Sequence, residues 1–385
     1  MRALLRKYGN YLLAMILLTG CKDPFELPEV TAGKPLLVVE GFLNGGGGET
    51  LVRLSYTSPF SGEDQPAPQP VMDASVSVED EQGNSYPLYP DFMNSGGNYI
   101  AEDLPLLSGR NYRLRIETSE GKQYFSEFTP VKNTPDIDSV GWELKDGGLQ
   151  VYVNTHDPSN ATRYYRWEYE EAWEFHAPYR TMYKYHEEDS TVQFRTEEEM
   201  IYTCWDSTFS TTIITGSTTR LSEDVVYRQP LVFAAYGAEK MSVLYSILVK
   251  QYAMTREAFE YWETMKKNTE EIGSIFDPLP SNLRGNIYNA ADPSEKVIGY
   301  ISAGSVRERR FFIDNDDLPD NWNEPFFCDM INVPSDSITF YFASEAYIPL
   351  AEIYEGGSVS YTATGRSCVD CTLKGVTKKP DFWPR

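Results

Sequence analysis

The 385-residue sequence carries 57 acidic against 34 basic residues, a net charge of −23, and only 3 His and 5 Cys. So acidic a chain argues against nucleic acid or an anionic bilayer surface as a partner, and for solubility outside the cell. Three histidines leave little room for a histidine-based mechanism, and 27 Tyr, 19 Phe and 7 Trp among frequent Gly and Pro point to a mainly β protein.

Arg2, Arg6 and Lys7 precede an apolar run over residues 11–18, followed by Leu18-Thr19-Gly20-Cys21. The run has the length of a signal-peptide core and falls well short of a membrane span. The four residues at its end resemble the bacterial lipobox. Residues 1–20 are therefore read as a lipoprotein signal peptide, and Cys21 as the lipidated first residue of the mature chain. Two or three acyl chains such as palmitate, at roughly 0.8 kcal/mol per buried CH₂, make such an anchor effectively permanent. Residues 21–35 read as an extended tether, because Pro24 and Pro28 stiffen a polar segment. A lysine followed by acidic residues just after Cys21 also resembles the export signal of surface lipoproteins in Bacteroidota. The chain beyond the leader is too long for one ordinary core, so two domains are expected.

Residues 36–133 predict an immunoglobulin-like β-sandwich of about seven short strands. Strands are expected at 36–43 and 50–56 around the Gly45–Gly48 run, then at 75–78 and 85–89 around a hairpin turn. Further strands are expected at 98–101, 112–116 and 123–128, and the Pro-rich stretch 61–70 reads as an exposed loop. Tyr112 has the setting of a tyrosine corner, in which the hydroxyl ties a loop to the next strand.

Asn133-Thr134-Pro135-Asp136 marks a linker to a larger β-rich domain over 134–385. A hairpin is expected at 139–144 and 149–154, then a long aromatic strand at 164–175 and strands near 191, 211, 230 and 241. Late strands are expected at 298–303, 309–313 and 337–342. One prominent helix follows Thr255, a cap residue, with Ala258, Phe259, Trp262 and Met265 at helical spacing and Glu263 and Lys267 four apart on the other side. That stripe reads as a docking face onto the second sheet.

After lipidation of Cys21, the cysteines left are Cys204, Cys328, Cys368 and Cys371, an even number in an oxidising compartment. Two structural disulfides are expected, with three connectivities open. Zinc would need a second half-site beside Cys368-Val-Asp-Cys371, and none exists. The tail from residue 365 would fray if left alone. At least one bridge from the Cys368/Cys371 pair to Cys204 or Cys328 is therefore expected, holding the tail to the second domain.

No phosphate-cradling loop, nucleophile elbow or zinc-protease helix is present in the sequence. The His186-Glu187-Glu188-Asp189 run reads as a solvated acidic loop. Asp314, Asp316, Asp317 and Asp320 offer oxygen ligands of the kind calcium takes, as a weak metal candidate without the glycine and terminal glutamate of an EF-hand loop. No cofactor and no catalytic constellation is expected.

Three segments carry a family resemblance. They are Tyr245-Ser246-Ile247 with Gln251-Tyr252 and Phe259-Glu260-Tyr261-Trp262; residues 273–277 with Pro280-Ser281-Asn282-Leu283 and Gly285-Asn286-Ile287; and Cys368-Val369-Asp370-Cys371 closing on Lys379-Pro380-Asp381-Phe382-Trp383. With the lipobox, they resemble the Bacteroidota lipoproteins grouped as domain of unknown function 4249. That family frequently carries a cysteine soon after its Gly-Asn-Ile motif, where this chain has Tyr288 and Asn289. The resemblance implies an outer-membrane lipoprotein encoded beside TonB-dependent transporters, with no catalytic residues to carry over. The expected function is thus a non-enzymatic lipoprotein on the outer membrane, facing the cell exterior, as accessory or binding partner of a TonB-dependent β-barrel. A structural subunit of a larger envelope assembly is the alternative, and a surface hydrolase with scattered carboxylates is a third.

Overall fold

A computed structural model of the chain describes residues 35–58, 67–94, 96–270, 283–320, 322, 327–355 and 357–384. The expected leader, Cys21 with its tether, most of the 61–70 loop and the stretches 273–277 and 280–282 lie outside those residues. The fold is mainly β, with one long helix.

The first nine strands are β1 (Leu37–Asn44), β2 (Thr50–Tyr56), β3 (Gln69–Pro70), β4 (Ser75–Asp80), β5 (Ser85–Pro90), β6 (Asn98–Ala101), β7 (Asn111–Glu117), β8 (Gln123–Ser126) and β9 (Thr129–Lys132). The next nine are β10 (Ile137–Lys145), β11 (Gly148–His156), β12 (Tyr164–His176), β13 (Tyr183–His186), β14 (Thr191–Phe194), β15 (Thr203–Phe209), β16 (Ile214–Ser217), β17 (Val225–Ala235) and β18 (Leu244–Ala253). Helix α1 (Arg256–Thr269) precedes β19 (Ile287–Asn289), β20 (Val297–Ile298), β21 (Ser302–Gly304), β22 (Val306–Asp314) and β23 (Met330–Val333). Helix α2 (Ile338–Phe342), β24 (Tyr347–Glu355) and β25 (Ser358–Gly365) end the series.

In the first unit the strands alternate buried and half-buried or exposed side chains, as where Tyr112, Leu114 and Ile116 of β7 turn inward between half-buried neighbours. The expected immunoglobulin-like sandwich would divide them between two sheets. Instead the order β7-β4-β5-β6-β2-β1-β21-β9 closes through β9 pairing back to β7, giving an eight-stranded barrel-like sheet. Closure removes the free edges that an open sheet of this length would leave. The closing strand β21 lies far along the chain and pairs parallel to both β1 and β9. A boundary at residue 133 therefore does not delimit the first core, which also takes Ile287, Val297, Ile301 and Ala303. Asn286 staples this return by exchanging two 2.8 Å hydrogen bonds with the Ile301 backbone. Gly285 and Gly299 pack so closely that a Cβ on the former would lie 1.8 Å from the Gly299 carbonyl oxygen. The Tyr112 hydroxyl accepts the Leu107 N–H at 3.1 Å and ties its loop down, as a tyrosine corner requires.

The second unit stacks sheet β10-β11-β17 on sheet β15-β12-β18-β22, with β16 beside β12. Leu149, Val151 and Val232 face Tyr165, Trp167 and Tyr245 in its core. Several buried polar groups there are paired, although the Trp322 and Trp173 indole nitrogens are not. Trp167 Nε1 donates to Gln251, whose amide nitrogen donates to the Pro135 carbonyl and to Thr155. Glu171, 4% exposed, accepts from Tyr245 and pairs with Lys240. Satisfied networks of this kind hold one arrangement, because breaking any bond leaves a buried group without a partner.

The strand expected at 298–303 is split into β20 and β21, the one expected near 211 falls between β15 and β16, and two further elements differ from expectation. Residues 337–342 form not a strand but a short helix, because Ile338 and Phe342, four apart, both turn into the small core with Val333 and Tyr361. The strand expected near 241 begins at Leu244, after a 3-10 turn at Glu239–Met241. A third sheet, β23-β25-β24, has no counterpart among the expectations.

Candidate functional site

A cleft of about 980 Å³ opens between the barrel and the second unit. Its barrel wall is the outward face of β1 with the Gly47–Gly48 turn, and its opposite wall is the outward face of β12, β18 and β22. Helix α1 closes one side. The register sets Arg166 opposite Tyr252 and Glu168 opposite Lys250, and period-two alternation sends all four away from the core that Tyr165 and Trp167 fill.

The wall has an aromatic and guanidinium column. Arg166 lies between two rings, 4.2 Å from the Trp262 centroid and 4.8 Å from that of Tyr252, and Tyr252 meets Phe42 of the barrel edge-on at 4.9 Å. Glu168 holds the guanidinium at 2.9 Å and accepts the Tyr252 hydroxyl at 2.7 Å. Burial, then the neighbouring Glu168, pushes the Tyr252 phenol well above its ordinary range, so it stays a neutral donor. Lys250 pairs with Glu170 at 2.5 Å.

Thr255 caps α1 by accepting the Ala258 N–H, and Tyr164 packs on Phe259 at 5.0 Å. The helix does dock on the second sheet, but of the expected stripe only Ala258 is buried; the other buried residue, Tyr261, lies outside that stripe, and Trp262 and Met265 line the cleft. Tyr261 stacks near Tyr300, and burial pushes its phenol up to about 12. One helix thus grips both units. Arg53, Arg166, Lys250 and Arg307 face Glu40, Glu49, Glu168 and Glu308 around the cleft, so its walls balance in charge. Flat apolar faces with paired, fixed donors and acceptors suit binding of a neutral polar molecule.

The cysteines are joined as Cys204–Cys371 and Cys328–Cys368, which bears out the expected bridges from the tail. The tail then runs on to Trp383, whose indole packs on Phe312 and donates to Glu174 at 3.0 Å. The calcium candidates do not converge. Asp314 caps a 3-10 turn by accepting the Asp316 N–H, and among the described residues no group of three His, Cys, Asp or Glu could hold a metal, which also sets aside the 186–189 run. His176 stacks on Tyr202 at 4.6 Å. Cys21 lies outside the described residues.

Sequence reasoning did not single out Arg166, Glu168 or the barrel wall as a site. Tyr252, Tyr261 and Trp262 were among the residues carrying the family resemblance, and that was the usable signal.

A family model described as "Domain of unknown function (DUF4249)" matches residues 22–310, well over half of the chain. The match stops short of Cys328, Cys368 and Cys371. No curated protein matches the sequence. Among solved structures, a chicken interferon gamma receptor alpha chain matches at 10% identity over 57% of this chain and 89% of its own. Its TM-score of 0.14 is too low to carry an argument.

Proposed function

This chain belongs to the family described as domain of unknown function 4249, and from that premise we propose that it is a non-enzymatic, lipid-anchored binding protein of the bacterial outer membrane. Cys21 carries the anchor, and the protein serves as accessory to a TonB-dependent β-barrel transporter. The ligand is a neutral oligosaccharide held in the cleft between the barrel and the second unit.

The observation that carries this reading is the Trp262–Arg166–Tyr252 column. Trp262, the half-buried member of that column, lines the cleft and gives a sugar ring an aromatic surface, beside carboxylates and cations that pair with hydroxyl groups. The charges of that wall are already neutralised by one another, so an ionic ligand gains little there.

Calorimetric titration of neutral oligosaccharides against the wild type and Trp262→Ala tests the site. Binding to both alike, or to neither across a broad panel, overturns the ligand assignment. Co-purification from detergent-solubilised outer membranes tests the partner, and repeated recovery without any β-barrel removes the transporter part. Metabolic labelling with an acyl probe tests the anchor. Cys21→Ser should stay unlabelled and leave the membrane fraction, whereas equal label in the mutant refutes the assignment.

A further inference from the structure

We propose that the barrel end carrying Phe92 and Met93 is a membrane contact. With Cys21 anchored, these two side chains enter the interfacial layer of the same leaflet. The inference rests on the lipid-anchor reading above and turns a single tethered point into a fixed orientation.

Phe92 is 83% and Met93 93% exposed, with Tyr89 at 66% beside them. Their loop is a built turn. Asp91 accepts the Met93 N–H at 3.0 Å and the Asn94 side-chain amide at 2.6 Å. A turn fixed by its own carboxylate needs no apolar side chains at its tip, so an exposed Phe-Met pair calls for an external partner.

The strand register identifies that partner. The loop joins β5 to β6, and its far end bonds at the level of Leu54, whose amide donates to the Gly97 carbonyl. In β1, Leu37 pairs with Tyr56 and Val39 with Leu54. The Phe92–Met93 loop therefore sits at the end of the barrel where the chain arrives from Cys21. Both crossings to the second unit, at 133–136 and 305–306, leave from the opposite end, where Asn44 pairs with Gly304. Residues 21–34 can span at most about 50 Å, so the anchor keeps this end within that distance of the bilayer.

Asp73, Asp91, Glu120 and Glu295 lie toward this end, with Lys122 3.8 Å from the last two glutamates. Such a surface does not seek anionic headgroups, so the contact is apolar insertion that acts after the lipid anchor has delivered the protein.

Cys204, Cys328, Cys368 and Cys371 are all bridged and Cys21 is acylated, so Met93→Cys adds a single free thiol to the full-length lipoprotein. A nitrobenzoxadiazole label at that position is compared with one at Phe340→Cys, an 81% exposed site on α2. Both proteins are reconstituted in phosphatidylethanolamine and phosphatidylglycerol vesicles. The label at position 93 should shift to the blue and be quenched several-fold by nitroxide lipids, and the label at 340 should stay water-like. Two water-like labels on protein that floats with the vesicles overturn the orientation while leaving the anchor intact. A shift at 93 that requires an added outer-membrane protein fraction overturns it in favour of a protein interface. If the protein does not float, or Cys21→Ser floats equally well, the anchor reading falls and the orientation falls with it.

Discussion

Removing the Cys204–Cys371 bridge, as Cys204→Ala with Cys371→Ala, should unfasten the C-terminal region from the second unit. The bridge spans 167 residues and encloses Cys328–Cys368, which spans 40. With the inner bridge intact, the loop released in the unfolded chain shortens to about 130 residues. The chain-entropy relation then gives about 17 cal/mol/K, or about 5 kcal/mol at 25 °C. Both sulfurs are buried against Phe175, so the alanines add small cavities to that loss. Cys368 stays bridged to Cys328, but beyond it the tail is held to the second unit by noncovalent contacts alone: the Cys371 N–H to the Ile201 carbonyl, Trp205 paired with Val376, Lys374 with Glu239, Arg310 over Phe382, and Trp383 on Phe312 and Glu174. The double variant should lose about 5 kcal/mol in urea unfolding and about 10 °C in melting temperature. Under limited proteolysis its tail should be cut first. A loss below about 1 kcal/mol, with the tail as resistant as in the wild type, would refute the view that this bridge fastens the tail.

Gly299→Ala should be strongly destabilising, because the residue has φ of 141° and a Cβ would lie 2.1 Å from the Val39 carbonyl oxygen. Backbone strain alone costs about 1–3 kcal/mol, so a denaturation midpoint equal to the wild type contradicts the close approach of β1. Arg166→Lys keeps the charge but loses the planar stack between Trp262 and Tyr252, and should cost about 1–2 kcal/mol and weaken ligand binding. A lysine variant indistinguishable in both assays shows that stacking contributes nothing. Burial alone would raise the Asp157 carboxyl, but hydrogen bonds from Ser159 and Thr162 outweigh it and hold the group down at about 2. Its contribution to stability is present above the ordinary carboxylate range and is lost as pH falls toward 2. Asp157→Asn should therefore be less stable at neutral pH and show a shallower acid-side decline, and unchanged slopes in both proteins count against the assignment.

Composition and local pattern were enough to read the mainly β class and most hairpins of the chain, since period-two alternation and turn residues act over a few neighbours. Tyr112 and the capped helix after Thr255 were legible for the same reason, and so was the expectation that the tail is bridged. The barrel was not legible. Its closing strand is Ser302-Ala303-Gly304, three small residues without periodicity that gain their meaning only by lying parallel to β1 and β9. The stretch 337–342 has strand composition, yet Ile338 and Phe342 reach a common core only if the backbone winds into a helical turn. The cleft belongs to neither half of the sequence. Arg166 reads locally as one exposed residue on an aromatic strand, and it becomes a clamped guanidinium only when β18 and α1 bring Tyr252 and Trp262 against its two faces. Local sequence sets which way each side chain points, while pairing between residues far apart in the chain decides what it meets there.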